Sequence, residues 1–288
     1  GDAPMPVIAA RSPADVFECA IEACRIAAQY MTPVMLLTDG YIANAAEPWL
    51  VPDPEAFERM PVEFLTEKNA GEELLPYRRD EKGARPWIKP GTPGLMHRIG
   101  GIEKAVDTGH LDYSPANHQA MTDARRDKIA NIRVRDQQVE VGEKRGRLAV
   151  VGWGSTYGPI HQAVLRARRK GLDVSHIHVR HVWPLPANLG ELLRGFDKVL
   201  VPEMNTGQFK TVLRDQFLVD AQPLTKVSGQ PFQIAELEAA IATYFDNIPG
   251  DAGGEEVAVN TQQLPNPEAG HDDGTTPRDL RLMHDRDN

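Results

Sequence analysis

In the second half of the chain, apolar residues fall into short unbroken runs that alternate with stretches of helical period. Leu148 to Val151 is one such run, suited to a strand covered on both faces, and it enters a turn containing Gly152, Gly154 and Gly158. Beyond the turn, Ile160, Ala163, Val164 and Ala167 recur at helical spacing, with Pro159 fitting the first helical position and Gly171 a left-handed stop. Arg166, Arg168, Arg169 and Lys170 crowd the end of this helix, where the helix dipole favours cations. Val174 to Val179 then completes a β-α-β unit, which calls for parallel strands joined by a right-handed crossover. Lys198 to Val201 and Pro223 to Val227 read as further strands, and Gly207 to Leu218 and Phe232 to Phe245 as further helices. The pattern predicts an α/β domain with a parallel sheet, about 100 residues long, a size that buries its own core.

A second β-α-β unit opens the chain. Met5 to Ala10 reads as a strand, followed by a helix with Ser12 as cap, Pro13 at its first position and Asp15 closing a capping box. Val16, Ala20, Ile21, Cys24, Ala27 and Ala28 form its expected buried stripe, and Pro33 to Thr38 is the returning strand. Two strands and one helix make too small a core to stand alone, so this unit is expected to need a sheet from a partner chain or from a longer domain. From Pro52 to Gly101 no period is sustained and seven prolines intervene, which predicts an extended crossing segment. Aromatic residues in and beside it, Trp49, Phe57, Phe64, Tyr77 and Trp87, argue for packing, since disordered segments are poor in them. Ser114-Pro115 opens a further helix toward Arg133, with Met121, Ala124, Ile129 and Ile132 available for burial.

The length of 288 residues suggests two domains, and 41% apolar with 25% charged residues suits a soluble globular class. No run approaches the ~20 apolar residues of a membrane helix and no signal pattern opens the sequence, so a cytoplasmic location away from membranes is expected. A net charge of -9 argues against nucleic acid as a partner. Residues 250–288 hold nine acidic residues against three arginines and are expected to be a disordered tail. Cys19 and Cys24, the two cysteines, lie on one helix at a spacing unsuited to a disulfide and read as buried small hydrophobes. Two thiols cannot supply the four thiolates of an ordinary iron–sulfur cluster.

Candidate chemistry is sparse. Gly152-x-Gly154-x-x-x-Gly158 is one residue too long for a dinucleotide turn, and the second strand ends in Val179-Arg180-His181 where a ribose-binding acid belongs. A turn packed against a neighbour fits better. His176 and His178 share a strand face with His181 close by, yet no carboxylate or thiolate adjoins them in sequence, so they read as interface or surface histidines and no metal site is assigned. Asp39 and Tyr41 follow a strand end, where open α/β sheets gather ligands, and are candidates to line a cofactor. Asn205 and Gln208 flank a helix start, where capping and subunit contact are the expected roles.

Four segments, Thr32 to Tyr41, Ala46-Glu47-Pro48-Trp49, His97-Arg98-Ile99-Gly100-Gly101 and Val201 to Gln208, together resemble the α subunit of 2-oxoacid:ferredoxin oxidoreductases, nearest to the 2-oxoglutarate type. The resemblance covers about residues 1–249. It implies the C-terminal part of a thiamine-pyrimidine-binding domain at 1–51, a crossing segment and helix at 52–145, a transketolase C-terminal-like domain at 146–247 and the acidic tail at 248–288. It also implies conversion of 2-oxoglutarate, coenzyme A and oxidised ferredoxin to succinyl-CoA, CO2 and reduced ferredoxin. Thiamine diphosphate, Mg2+ and a 4Fe-4S cluster would then be held mainly by a partner β subunit, in a dimer of heterodimers that also includes the upstream part of the α subunit. The family's α-subunit catalytic residues precede the stretch present here, so none is carried over and the chain alone is expected to be inactive. Two alternatives stand beside this reading: the same enzyme acting on pyruvate or a branched 2-oxoacid, and a non-catalytic interaction module.

Overall fold

The computed structural model of the protein describes residues 2–56 and 62–246. Phe57 and the expected acidic tail lie outside the described residues. In chain order the elements are β1 (Val7–Ala9), α1 (Pro13–Tyr30), β2 (Met35–Leu37), α2 (Gly40–Asn44), α3 (Pro115–Ala130), β3 (Val139–Val141), β4 (Gly146–Trp153), α4 (Tyr157–Arg169), β5 (Val174–Val179), β6 (His181–Trp183), α5 (Leu189–Leu193), β7 (Phe196–Glu203), α6 (Gln208–Phe217), β8 (Ala221–Thr225) and α7 (Ile234–Asp246), with short 3-10 turns at Pro54–Ala56 and Gly154–Thr156. No helix among the described residues is long and apolar enough to cross a membrane.

The larger sheet has the order β3-β5-β4-β7-β8. Its β5-β4-β7-β8 pairs are parallel, as the apolar runs predict, and β3 adds an antiparallel edge that the sequence pattern does not announce. Successive residues of β4 go to opposite faces. Leu148 and Val150 meet Ile160, Val164 and Ile241, while Ala149 and Val151 meet Leu193, Phe209 and Leu213. Helices from the same part of the chain therefore cover both faces of its central strands, which is why those strands carry no polar alternation. α4 begins at Tyr157, two residues before Pro159, a shift the proline tolerates because the first turn has amide groups without intrahelical partners anyway. Gly171 takes φ +85° and ends α4 as expected. A Cβ on Gly152 would lie 2.6 Å from Ile160 Cδ1, so the glycine turn packs against its own helix.

The smaller sheet runs β2-β1-β6. β1 pairs in parallel with β2, as expected for the opening β-α-β unit, but its other edge pairs antiparallel with β6 of the same chain. The need for a second sheet is thus met in part from within. β2 is less covered than the sequence suggests: Met35 is 46% exposed.

Three local expectations are corrected. The buried positions of α1 are Asp15, Cys19, Ile26 and Tyr30, a stripe turned one residue from the expected one, and Cys24 is exposed. The turn brings Asp15 inward, where its carboxylate meets the Arg180 guanidinium beyond β5 and the Cys19 thiol at 3.4 Å. Burial first, and then the Asp15 charge, push the Cys19 thiol up to about 12. The capping box closes differently: Ser12 Oγ accepts from the Asp15 amide, while Asp15 accepts from the amide of Arg11, one residue outside the box. His176, His178 and His181 are buried, with 0%, 5% and 6% of their surface exposed. α4 covers the face on which a β5 pair was expected to meet solvent or a partner.

The segment between the sheets has little regular structure but is tied down. Leu65 N donates to Trp87 O at 2.8 Å, and Trp87 Nε1 donates to Ala28 O at the end of α1 at 2.8 Å. α3, capped by Ser114, buries Met121 and Ile129, with Ala124 only half buried.

Candidate functional site

The parallel strands of both sheets end around one cleft. β1 and β2 of the smaller sheet deliver Ala9, Ala10 and Leu37, while β4 and β7 of the larger deliver Trp153 and Glu203, around a cavity of about 350 Å3. Ligand sites of open α/β sheets form outside the carboxyl ends of strands. Asp39 caps α2 by accepting from the Ile42 amide at 2.9 Å, and its other oxygen accepts from the Ser155 hydroxyl in the turn after β4. A single carboxylate therefore joins the smaller sheet to the glycine turn of the larger.

On the opposite wall Glu203 is fully buried. Its Oε1 accepts from Trp153 Nε1 at 3.3 Å, Asn205 Nδ2 at 3.1 Å and the Phe209 amide at 2.8 Å, and its Oε2 accepts from the Lys210 amide at 2.9 Å. Asn205 Oδ1 in turn accepts from the amides of Gly207 and Gln208 at 2.8 and 2.9 Å. The amides that open α6, a ready anion site when bare, are thus occupied by the protein itself. No lysine, arginine or histidine lines this cavity among the described residues, so its field repels anions and favours a neutral group.

Of the four candidate residues, Asp39, Asn205 and Gln208 meet at this cleft, whereas Tyr41 lies outside its lining and is 59% exposed. Ser155, Trp153 and Glu203 were not singled out. Glu203 did carry a signal: an acid at the end of an apolar run, just ahead of a helix, is well placed to receive the helix's first amides.

A second polar cluster joins the sheets farther along. The Arg11 guanidinium sits 4.5 Å over the Tyr157 ring and bonds Glu140 at 3.3 Å, and the Tyr157 hydroxyl also donates to Glu140 at 3.3 Å. Burial, followed by the Glu140 charge, raises the Tyr157 phenol. Beneath Tyr157 the rings of His161, His176 and His178 pack at 5.2, 5.5 and 4.9 Å. Burial lowers His176 to about 3 and His178 well below its ordinary value, and it lowers His181 to about 4 against the opposing pull of Glu22. These rings pack as neutral aromatics. Among the described residues no group of three histidine, cysteine, aspartate or glutamate side chains is arranged to hold a metal ion.

Comparison with known proteins gives two family matches in order: "Pyruvate flavodoxin/ferredoxin oxidoreductase, thiamine diP-bdg" over residues 2–110 and "Pyruvate:ferredoxin oxidoreductase core domain II" over residues 147–230. The 2-oxoglutarate oxidoreductase subunit KorA of Mycobacterium tuberculosis is 50% identical over 238 residues, covering 82% of this chain and 36% of the relative. The 2-oxoglutarate synthase subunit KorA of Methanocaldococcus jannaschii is 28% identical over 255 residues, covering 84% of this chain and 64% of the relative. Among solved structures, a 2-oxoglutarate:ferredoxin oxidoreductase from Magnetococcus marinus, with 2-oxoglutarate, coenzyme A and succinyl-CoA bound, superposes with a TM-score of 0.78 at 28% identity, covering 85% of this chain and 43% of that one. The chain therefore spans between about a third and two thirds of the length of these relatives.

Proposed function

We propose, from its similarity to 2-oxoacid:ferredoxin oxidoreductase α subunits, that the chain is the C-terminal portion of such a subunit in a 2-oxoglutarate:ferredoxin oxidoreductase. The enzyme would convert 2-oxoglutarate, coenzyme A and oxidised ferredoxin to succinyl-CoA, CO2 and reduced ferredoxin in the cytoplasm. The observation that carries this reading is agreement with 2-oxoglutarate-type α subunits through both sheets of the chain. Residues 1–51 would close the pyrimidine-binding domain, 52–145 the connection, and 146–247 the transketolase C-terminal-like domain.

The described residues do not themselves fit the diphosphate end of thiamine diphosphate, its Mg2+ or an iron–sulfur cluster. The strand-end cleft has no cation, its carboxylates are spent on internal hydrogen bonds, and the two cysteines face apart on α1. Thiamine diphosphate, Mg2+ and the cluster would sit on the β subunit, with this chain supplying wall and support. Asp39, held by Ser155 and the Ile42 amide, would brace the cofactor side. Asn205 and Gln208, at the mouth of α6, would face a neighbouring subunit within a dimer of heterodimers.

An assay of the chain alone with 2-oxoglutarate, coenzyme A, thiamine diphosphate and a viologen acceptor is expected to give no turnover. Adding the β subunit and the remainder of the α subunit is expected to give coenzyme A-dependent reduction of the acceptor. Sustained turnover by the chain alone would overturn the division of labour, and preference of the complete enzyme for pyruvate would overturn the substrate.

A further inference from the structure

The segment connecting the two sheets carries a set of cations that neither the strand-end cleft nor the proposed reaction employs. Arg79 is half buried, and the one hydrogen-bond acceptor its guanidinium meets among the described residues is the Met121 sulfur at 3.6 Å. Arg85 lies 5.2 Å over the Tyr77 ring, and Lys128 donates to the Met31 carbonyl at 3.2 Å. None of the three meets a carboxylate among the described residues, whereas the neighbouring Arg78 and Arg125 pair with Asp107 at 3.5 Å and Glu103 at 3.1 Å.

Burial lowers Arg79, and the charges of Arg125 and Arg85 lower it further against the weaker opposing pull of Asp107; burial lowers Lys128, with Arg79 and Arg85 adding to it. A guanidinium has five N–H donors and no way to shed its charge, so a half-buried one facing like charges and a thioether is short of acceptors. In the turn beside it Asp80 turns Oδ1 to the amides of Lys82 and Ala84, both at 2.9 Å, and makes no ion pair with Arg79 among the described residues.

Arg78, Arg79, Lys82 and Arg85 line a cavity of about 660 Å3, outnumbering the carboxylates of Glu63 and Asp80 there, and its other wall includes Phe64 and Trp87. Those rings belong to bridged segments and are 48% and 36% exposed, and the Trp87 indole is fixed by its hydrogen bond to Ala28. Arginine forks match phosphate oxygens in pairs, and an exposed aromatic face held in place stacks a heterocycle at little ordering cost. The volume is that of a small-molecule site.

We propose that this cavity is a nucleotide-binding site, with Arg79 and Arg85 taking the phosphates, Lys82 at the rim, and Trp87 and Phe64 receiving the base. It stands independently of the reading of the catalytic assembly. A free nucleoside diphosphate and the nucleotide end of coenzyme A share this chemistry.

Calorimetric titration of the full chain with ADP, inorganic pyrophosphate, adenosine and coenzyme A tests it, with Trp87 fluorescence as a second readout. ADP is expected to bind saturably, pyrophosphate to compete with it, and adenosine to bind more weakly. Arg79→Met, which keeps the buried stem beside Met121, is expected to weaken ADP binding about tenfold or more. Lys82→Ala, at an exposed position with no side-chain partner among the described residues, is expected to weaken it by a smaller factor and to flatten its salt dependence. Coenzyme A binding tighter than ADP with the same Arg79 dependence assigns the site to the co-substrate's nucleotide end, and equal affinities assign it to a free nucleotide. Both carry the proposal. Absence of saturable ADP binding by the folded chain, binding unchanged in both variants, or adenosine binding as tightly as ADP overturns it.

Discussion

In the larger sheet the central strands β4 and β7 are covered on both faces by helices drawn from the same stretch of chain. In the smaller sheet β1 is flanked by β2, which lies close by in sequence, and by β6, which comes from the far side of β5. The apolar surface follows suit. Val150, Leu200 and Ile241 are fully covered, while Met35 of β2, Tyr41, Trp49 and Leu50 stand 46%, 59%, 46% and 91% exposed. The first sheet is a closed piece of folding and the second an open one, tied to it by a few charged contacts: Arg180 with Asp15, Arg11 with Glu140, and Asp39 with Ser155. An open edge with apolar neighbours is the expected surface for a further strand or a partner chain.

The sharpest test of this contrast sets one deletion in each sheet side by side. Leu200→Ala is expected to lower unfolding free energy by about 2–5 kcal/mol, against about 0.5 kcal/mol or less for Met35→Ala, as read from urea midpoints. Equal losses would break the distinction between closed and open sheets. Next in size, Arg180→Ala strands the buried Asp15 carboxylate and is expected to cost about 1–3 kcal/mol. Hydrogen exchange should then quicken in α1 and β1 while β4 stays protected. Equal quickening in β4 would mean that the two sheets open as one unit.

Acid adds a finer test. His176, on β5, is lowered to about 3, and His181, on β6, to about 4, from an ordinary value near 6.5. The unfolded chain therefore binds more protons in the window between those values. The stabilisation is fully present above about pH 6.5 and declines as pH falls toward 4, by about 1 kcal/mol per histidine per pH unit. His176→Phe is expected to reduce that slope, and an unchanged slope would mean that His176 does not titrate as a buried ring.

The larger sheet was legible because its signals are local: apolar runs of strand length, a glycine turn, a basic helix end and Gly171 in place as a stop. The smaller sheet was half legible. β1, α1 and β2 are local and could be read, but β6 is three residues long without a period, and its partner Ile8 lies near the other end of the chain. The rotation of α1 has the same origin, since its many alanines allow more than one apolar face and the choice is made by Arg180 reaching Asp15. At the candidate site, strand ends pointed to Asp39, Asn205 and Gln208, while Ser155 became visible only when the turn after β4 met α2. The histidines were misplaced because burial on β5 depends on Tyr157 and α4 closing over them, which spacing alone does not reveal.

The pairing of Val7 with Trp183 also has a consequence for how the protein is made. On a ribosome adding about 5–20 residues per second, β1 and α1 emerge about 10 s or more before β6 exists to pair with them. During that interval the α1 stripe and the inner edge of β1 are uncovered, and contacts so distant along the chain are slow to form even once both partners are present. Residues 7–30 are thus synthesised well before their pairing can be completed, and they wait in the cell as clients for chaperones until the stretch around β6 arrives.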